Sequence, residues 1–154
     1  MDENELQMLM EVISNQHMVD TYVIAANEIG QIKWSGRCAV IQNTQTRGKS
    51  GKHWLLWYQS SPDAVEYYDS FGRSPSSYGV QVPPLRIVNS NSIQFQPDSS
   101  SLCGLYCVYV LYHRLNGRSF NEIMLDFYVN KLLRNDAHVL RFYERLNSRK
   151  FEKK

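Results

Sequence analysis

From residue 96 the chain reads Gln96-Pro97-Asp98-Ser99-Ser100-Ser101-Leu102-Cys103-Gly104, and an apolar, helix-compatible stretch follows from Leu105 to Tyr112. This pattern predicts a helix that begins at Cys103. Unpaired backbone N–H groups at a helix start carry partial positive charge, which favours the reactive thiolate over the thiol. Gln96 lies on the loop that enters the helix and can direct its amide at the oxygen of an attacked carbonyl group. We therefore predict Cys103 as a nucleophile and Gln96 as an oxyanion donor.

A nucleophilic cysteine also needs a base, and the base needs a group that orients it. The segments Lys52–Tyr58 and Ala64–Tyr68 are apolar and aromatic and flank a short turn, which predicts a β-hairpin. If the hairpin is centred on Ser61, His53 lies directly opposite Asp69. Opposed side chains share one face with Cβ atoms about 4.5–5.5 Å apart, close enough for a carboxylate to hold an imidazole N–H. The spacing thus predicts His53 as the base and Asp69 as its orienting group.

Taken singly, each of these residues is more often structural than catalytic. A cysteine that opens an apolar helix is usually a small core residue, and a histidine beside tryptophan on a strand usually packs in a half-buried position. A glutamine near a turn is usually solvated, and an aspartate before Ser-Phe-Gly usually forms an Asx-type turn. The catalytic interpretation depends on all four occurring together, in an order and context that acyl transfer can use.

The same segments resemble the adenovirus-type cysteine proteases, adenain and its relatives in other double-stranded DNA viruses and virus-like transposons. The resemblance runs from about Thr21 to Tyr112, and the matching motifs are His53-Trp54, Asp69-x-Phe71-Gly72 and Gln96-x6-Cys103-Gly104-Leu105-x-Cys107. It implies that His53 is the base and Asp69 its orienting group. It also implies that Cys103 is the nucleophile, and that Gln96 and the Cys103 N–H form the oxyanion hole.

Three departures from that family bear on the assignment. Asp69 stands where adenain has a glutamate. The related SUMO-type proteases place five residues between Gln and Cys and usually have Asp before the Cys, whereas this chain has six, the last being Leu102. Adenain is joined to an activating viral peptide through a disulfide, and the corresponding position here is Leu85. The resemblance therefore favours the viral branch and predicts that a peptide activator binds without a disulfide.

The function implied by the resemblance is a thiol endopeptidase that cleaves viral capsid and core precursors during virion maturation. Its chemistry needs no cofactor, with DNA and a short viral peptide as candidate activators, and it would act in the virion and in the host nucleus or viral factory. Three alternatives stay open: a ubiquitin-like-protein protease of the SUMO type, a related acyltransferase, and a binding or assembly module that lacks activity.

Length and composition predict one domain over residues 1–154, because 43% hydrophobic residues suffice for a single core. The longest apolar run is too short to span a bilayer, and the acidic N-terminus is unlike a signal peptide. We expect an intracellular, non-secreted monomer with no membrane contact. Three cysteines argue against a disulfide framework, and Cys103-x3-Cys107 with His113 lacks the spacing of a zinc site.

Four helices and at least four strands are predicted around the motifs. The helices cover about Asn4–Ser14, Cys103–Tyr112, Phe120–Leu133 and Asp136–Leu146. The strands lie near Gly36–Gln42, Lys52–Tyr58, Ala64–Tyr68 and Ser92–Phe95. Their order predicts an α+β protein with a central mixed or antiparallel sheet flanked by helices. The resemblance makes this the papain-like, adenain-like fold.

The C-terminal end is locally basic although the net charge of the chain is only +2. From residue 131 onward there are eight basic residues against Asp136, Glu144 and Glu152: Lys131, Arg134, Arg141, Arg145, Arg149, Lys150, Lys153 and Lys154. Such a run is usually a solvated helix face. The functional alternative is a patch for DNA or an acidic partner, and the resemblance favours DNA.

Overall fold

A mixed five-stranded sheet forms the centre of the computed structural model, which describes residues 1–49 and 53–152, with side chains up to residue 149. The strands are β1 (Asp20–Ile24), β2 (Cys38–Asn43), β3 (Trp54–Ser61), β4 (Ala64–Tyr68) and β5 (Arg86–Ser90), and they lie in this order across the sheet. The central pairs β2–β3 and β3–β4 are antiparallel, while the outer pairs β1–β2 and β4–β5 are parallel. The predicted α+β class with a mixed sheet is confirmed.

Within the described residues, four α-helices accompany the sheet: α1 (Glu3–His17), α2 (Cys103–Leu115), α3 (Phe120–Met124) and α4 (Leu132–Glu152). Asp2 caps α1 by accepting the backbone N–H of Glu5, whose side chain accepts the N–H of Asp2 in return. Helix α2 begins at Cys103, as predicted. None of the helices in the described part of the chain is long and apolar enough to cross a membrane.

Two hydrophobic cores lie on opposite faces of the sheet. The larger one packs α1, α2 and α4 against side chains such as Ile41 and Leu56, and the smaller one surrounds Trp57 and Tyr67 on the other face. Because β2 and β3 face a core on both sides, all of β2 and most of β3 are buried. This central pair is the rigid support on which the residue before β3, His53, is held.

The hairpin register differs from the prediction. Leu56 pairs with Tyr68 and Trp57 with Tyr67, so the hairpin is centred on residue 62 rather than on Ser61. The turn lies at Pro62 and Asp63, because Ser61 pairs with Ala64, and a bulge between residues 59 and 61 shifts the pairing by one residue into this register. Continued beyond the strands, this register would place His53 opposite Phe71, not Asp69. The shift in pairing is two residues, which keeps side chains on the same face, so His53 and Asp69 meet on a diagonal.

Three other elements also differ from expectation. Strand β1 is not predicted by the sequence pattern, and the strand expected near Ser92–Phe95 lies instead at β5. Residues 92–95 leave the sheet, and the Phe95 N–H donates to the Ser70 carbonyl oxygen at 2.8 Å. The helix predicted over Phe120–Leu133 ends at Met124, and the last helix begins at Leu132 rather than at Asp136. In the non-helical segment between them, Tyr128 bonds through its backbone N–H and carbonyl to Asn135 of α4.

Candidate active site

A buried ion pair joins the two sides of the hairpin at its open end. His53 Nε2 lies 2.5 Å from Asp69 Oδ1, and both side chains are almost wholly inaccessible to solvent. The Asp69 carboxylate also accepts the Tyr78 hydroxyl at 2.5 Å and the backbone N–H groups of Phe71 and Arg73 at 3.0 and 2.9 Å. Burial raises the pKa of Asp69, but these hydrogen bonds and the charge of His53 lower it overall. Asp69 is therefore an ionised, fully bonded anchor.

The His53 ring is held by two aromatic rings and by a hydrogen bond at one nitrogen. It stacks on Phe71 with ring centroids 4.5 Å apart and tilts against Tyr78 at 5.6 Å. Since Nε2 is bonded to Asp69, Nδ1 is the nitrogen left for other chemistry, and among the described residues this buried atom has no hydrogen-bond partner. Burial lowers the pKa of His53, but Asp69 and nearby Cys103 outweigh that effect and raise it to about 9. The ring thus carries a proton at neutral pH.

Cys103 is the first residue of α2 and is 7% exposed. It opens into a cleft of about 200 Å³ that His53, Trp54 and Gln96 also line. The start of α2 lies close to α1 and to the sheet, because a Cβ on Gly104 would lie 3.1 Å from Leu6 and 3.3 Å from Trp54. Glycine at this position lets the helix start, and the thiol with it, approach the strand that follows His53.

The two other thiols lie away from the cleft. Cys107, one turn further along α2, is fully buried and contacts the Trp54 carbonyl oxygen at 3.5 Å, and burial raises its pKa well above the ordinary value. Cys38 lies inside β2, and burial raises its pKa to about 12, with Asp20 contributing. Both thiols therefore stay protonated and unreactive at neutral pH.

Gln96 is wholly buried and its amide is bonded at both ends. Its Oε1 accepts the Ser70 hydroxyl at 2.5 Å, and its Nε2 donates to the Ser100 carbonyl oxygen at 2.8 Å. An amide nitrogen carries two protons, so one remains for a ligand in the cleft that Gln96 lines beside Cys103. The structure brings three of the predicted residues, His53, Gln96 and Cys103, to one cleft, and Asp69 is bonded to His53 beneath it.

The loop between Gln96 and Cys103 is anchored to α4. Asp136 Oδ1 accepts the hydroxyl groups of Ser100 at 3.0 Å and Tyr106 at 2.7 Å. Asn135 donates to the Phe95 carbonyl oxygen at 2.9 Å. Asp136, predicted to cap a helix, therefore lies inside α4 and holds this loop instead.

Sequence reasoning missed three residues that support the site. Asn91 binds both backbone groups of Asp69, accepting its N–H at 3.0 Å and donating to its carbonyl oxygen. Tyr78 and Ser70 bond the side chains of Asp69 and Gln96, as described above. Ser70 carries a weak signal because it directly follows Asp69, but Tyr78 and Asn91 are nine and 22 residues away from it in the chain. Only the fold brings them together.

No side chains in the described ranges form a group of three or more His, Cys, Asp or Glu residues suited to hold a metal ion.

Comparison with known proteins yields weak structural likeness. No protein-family model and no curated protein matches the chain. A crystal structure of the ASFV pS273R protease in its selenomethionine form is 19% identical over 63% of this chain and 41% of that chain, with a TM-score of 0.43. A second crystal structure of that protease is 14% identical over 81% of this chain and 60% of that chain, with a TM-score of 0.48. The chain thus spans less than two thirds of that protease, and its function is inferred from the geometry of the site.

Proposed function

We propose that this chain is a thiol endopeptidase that acts through an acyl-enzyme. The observation that carries the proposal is the buried His53–Asp69 pair beside Cys103 at the start of α2. Asp69 holds Nε2, which leaves Nδ1 of the same ring as the proton carrier on the side of the thiol. A nucleophile, a base and a group that orients the base are the three parts that acyl transfer by a thiol requires.

In the acylation step, the Cys103 thiolate beside protonated His53 attacks the substrate carbonyl carbon. The electron pair of the carbonyl bond moves to oxygen, which accepts hydrogen bonds from Gln96 Nε2 and the Cys103 N–H. First-turn N–H groups have no partner within their own helix and are available for this purpose. Collapse of the intermediate breaks the C–N bond, and His53 gives its proton to the leaving amine.

In the deacylation step, His53 removes a proton from water, and the resulting hydroxide attacks the thioester. The C–S bond then breaks, the acid product leaves, and the thiolate of Cys103 is restored beside protonated His53. Each proton taken by the imidazole is returned, so the cycle needs no cofactor.

As substrates we propose viral capsid and core precursor proteins, cleaved near small residues such as glycine, within the virion and the host nucleus or viral factory. The support is the motif resemblance from His53 to Cys107. The second candidate is a SUMO-type ubiquitin-like-protein protease, favoured by the short carboxylate Asp69, which reaches His53 at 2.5 Å without needing the longer glutamate. Against this candidate, the chain has six residues between Gln96 and Cys103, whereas the SUMO-type proteases have five between the corresponding Gln and Cys.

Candidate activators are a peptide and DNA. Leu85 is half-buried against the smaller core and offers no thiol, so peptide activation should persist when a reductant is added. For DNA we propose the exposed face of α4, where Arg141, Arg145 and Arg149 border a cavity of about 670 Å³ between α2 and α4. Lys153, Lys154 and the Lys150 side chain, which belong to the predicted basic end, lie outside the described residues.

Parallel cleavage assays test the proposal. Peptides that span capsid-precursor junctions are compared with a ubiquitin-like protein fused to a reporter, using the parent chain and Cys103→Ala. We expect the parent to cleave the peptides, and Cys103→Ala to cleave neither while its melting temperature stays close to that of the parent. Preferential cleavage of the fusion would select the second candidate. No cleavage of either substrate, with or without DNA, would indicate a module without activity.

A further inference from the structure

Ser70, the residue after Asp69, is wholly buried and is bonded three times to the segment that carries Gln96. Its hydroxyl donates to Gln96 Oε1 at 2.5 Å. Its backbone carbonyl oxygen accepts the N–H groups of Phe95 at 2.8 Å and of Gln96 at 3.0 Å. One residue thus holds both the backbone and the side chain of the candidate oxyanion donor.

The partners of Gln96 determine which end of its amide faces which way. A carbonyl oxygen can only accept a hydrogen bond, so the Gln96 atom that faces the Ser100 carbonyl must be Nε2. The other end, Oε1, is then the atom that meets Ser70, whose hydroxyl must be the donor. Ser70 and Ser100 together leave one Nε2 proton directed to neither of them. That proton is the one an oxyanion in the cleft can accept.

Close packing fixes the turn of Ser70 against this segment. Gly72 adopts a left-handed conformation at φ +72°, and a Cβ there would lie 2.6 Å from the Ile93 carbonyl carbon and 2.9 Å from the Gln94 nitrogen. The turn from Asp69 to Gly72 therefore lies directly on the backbone that leads to Gln96. Since Asp69 orients His53, adjacent residues of one turn support both halves of the site.

We propose that Ser70 is a positioning residue that sets the orientation of the Gln96 amide and thereby couples the His53–Asp69 pair to the oxyanion hole. The proposal rests on the function proposed above. Without the Ser70 hydroxyl, Oε1 becomes a buried acceptor without a partner, and the amide is held only through its hydrogen bond to the Ser100 carbonyl oxygen, about which it can turn. A turned amide no longer directs its second N–H at the developing negative charge.

The test is a double-mutant cycle of Ser70→Ala and Gln96→Ala on the full chain, with Ser14→Ala as the matched control. Ser14 also donates a hydroxyl hydrogen bond, to the Val19 carbonyl at 2.6 Å, but on the far end of α1. Measured quantities are kcat and KM for the peptide substrate, the melting temperature, and the rate of Cys103 alkylation by iodoacetamide. Alkylation displaces iodide at a saturated carbon and forms no oxyanion.

We expect Ser70→Ala to lower kcat about 10-fold, the equivalent of one net hydrogen bond, with KM and the alkylation rate unchanged. In the Gln96→Ala background the same change should have no further effect on kcat, because there is no amide left to orient. Ser14→Ala should leave kcat unchanged. Independent, multiplicative losses in the double variant would overturn the proposal, as would an unchanged kcat in Ser70→Ala.

A substitute variant and the behaviour of the parent chain keep this test distinct from that of the proposed function. If Ser70→Ala does not fold, Ser70→Cys, which keeps a small side chain and only a weak donor, takes its place. The proposal would be overturned if Ser70→Cys left kcat unchanged both in the parent chain and in Gln96→Ala. If the parent itself neither cleaves peptide nor is labelled by a peptide electrophile, the proposed function has failed. If the parent turns over normally and only the cycle is additive, the Ser70 proposal alone has failed.

Discussion

At the scale of single residues, His53, Asp69 and Gln96 are each held by more than one partner. Asp69 accepts four hydrogen bonds, so its carboxylate has little freedom to move away from His53. His53 is stacked on Phe71, which limits rotation of the ring. Such preorganisation matters because an electrostatic contact accelerates the reaction only if it is in place when charge develops.

Gln96→Ala tests whether the amide acts on the transition state. One oxyanion donor is worth about 2.7–4 kcal/mol, so turnover should fall on the order of 100- to 1000-fold. Because the charge develops only in the transition state, KM and the alkylation of Cys103 by iodoacetamide should hardly change. Steady-state kinetics and a labelling time course measure the two quantities. Parent-like cleavage by Gln96→Ala would mean that backbone groups alone form the oxyanion hole.

The pKa of His53 predicts the alkaline limit of activity. A raised pKa of about 9 means that the ring keeps its proton up to that pH and loses it above. The proton is needed for the leaving amine, so kcat/KM should fall as pH rises through about 9. Tyr78→Phe removes a hydrogen-bond donor from Asp69, and the alkaline side of its kcat/KM profile is compared with that of the parent. A parent profile that stays flat to well above pH 9 would contradict this assignment.

At the scale of elements, the sequence predicts best where pattern and local chemistry agree. The start of helix α2 at Cys103 is predictable because an apolar run follows a polar loop directly. Strands β3 and β4 are predictable from two apolar, aromatic runs around a turn. The outer strands escape prediction because they lack a clear pattern: β1 is mostly half-exposed and β5 is largely exposed.

The pairing of His53 with Asp69 is predicted from a register that is wrong by two residues. The turn lies at Pro62 and Asp63 rather than at Ser61, which displaces the pairing by three residues, and a bulge between residues 59 and 61 reduces the displacement to two. The contact exists nevertheless, because a two-residue shift preserves the face on which side chains project. The supporting residues Tyr78 and Asn91 are beyond prediction, since loops between β4 and α2 bring them to Asp69.

Gly72→Ala tests the turn that joins the two halves of the site, with Gly79→Ala as its control. Both glycines have positive φ, +72° and +68°, so both substitutions carry a strain of about 1–2 kcal/mol. Only at Gly72 would the new Cβ also collide with backbone atoms, whereas at Gly79 no described atom lies within 4 Å. Gly72→Ala should therefore lower the free energy of unfolding by about 1–3 kcal/mol more. Chemical denaturation measures both, and equal losses would contradict this packing.

At the scale of the whole molecule, α4 carries both basic side chains and a contact to the loop before Cys103. Asp136, near its start, holds Ser100, and its later turns carry Arg141, Arg145 and Arg149. These three arginines recur every four residues and therefore lie along one side of the helix. A polyanion bound there would contact the same helix that anchors the loop before Cys103.

Replacing Arg141, Arg145 and Arg149 by Gln tests the proposed DNA surface. Binding to duplex DNA should weaken, and the slope of log K against log salt should become shallower by about 0.9 for each phosphate that the protein no longer neutralises. Basal peptide cleavage should not change, because none of the three lines the catalytic cleft. Fluorescence anisotropy at several salt concentrations gives the slope. Salt-independent stimulation, or none in the parent, would make these residues a solvated helix face.

The central claim is that Cys103 is the activated nucleophile of this fold, and covalent labelling tests it most directly. The folded chain is treated with an electrophilic peptide probe, digested and mapped by mass spectrometry, with urea-unfolded chain as the control in which all thiols are accessible. We predict modification of Cys103 alone in the folded protein, because burial protects Cys38 and Cys107. We also predict loss of labelling in His53→Ala. Equal labelling of all three cysteines in the folded chain, or labelling that does not depend on His53, would contradict the account.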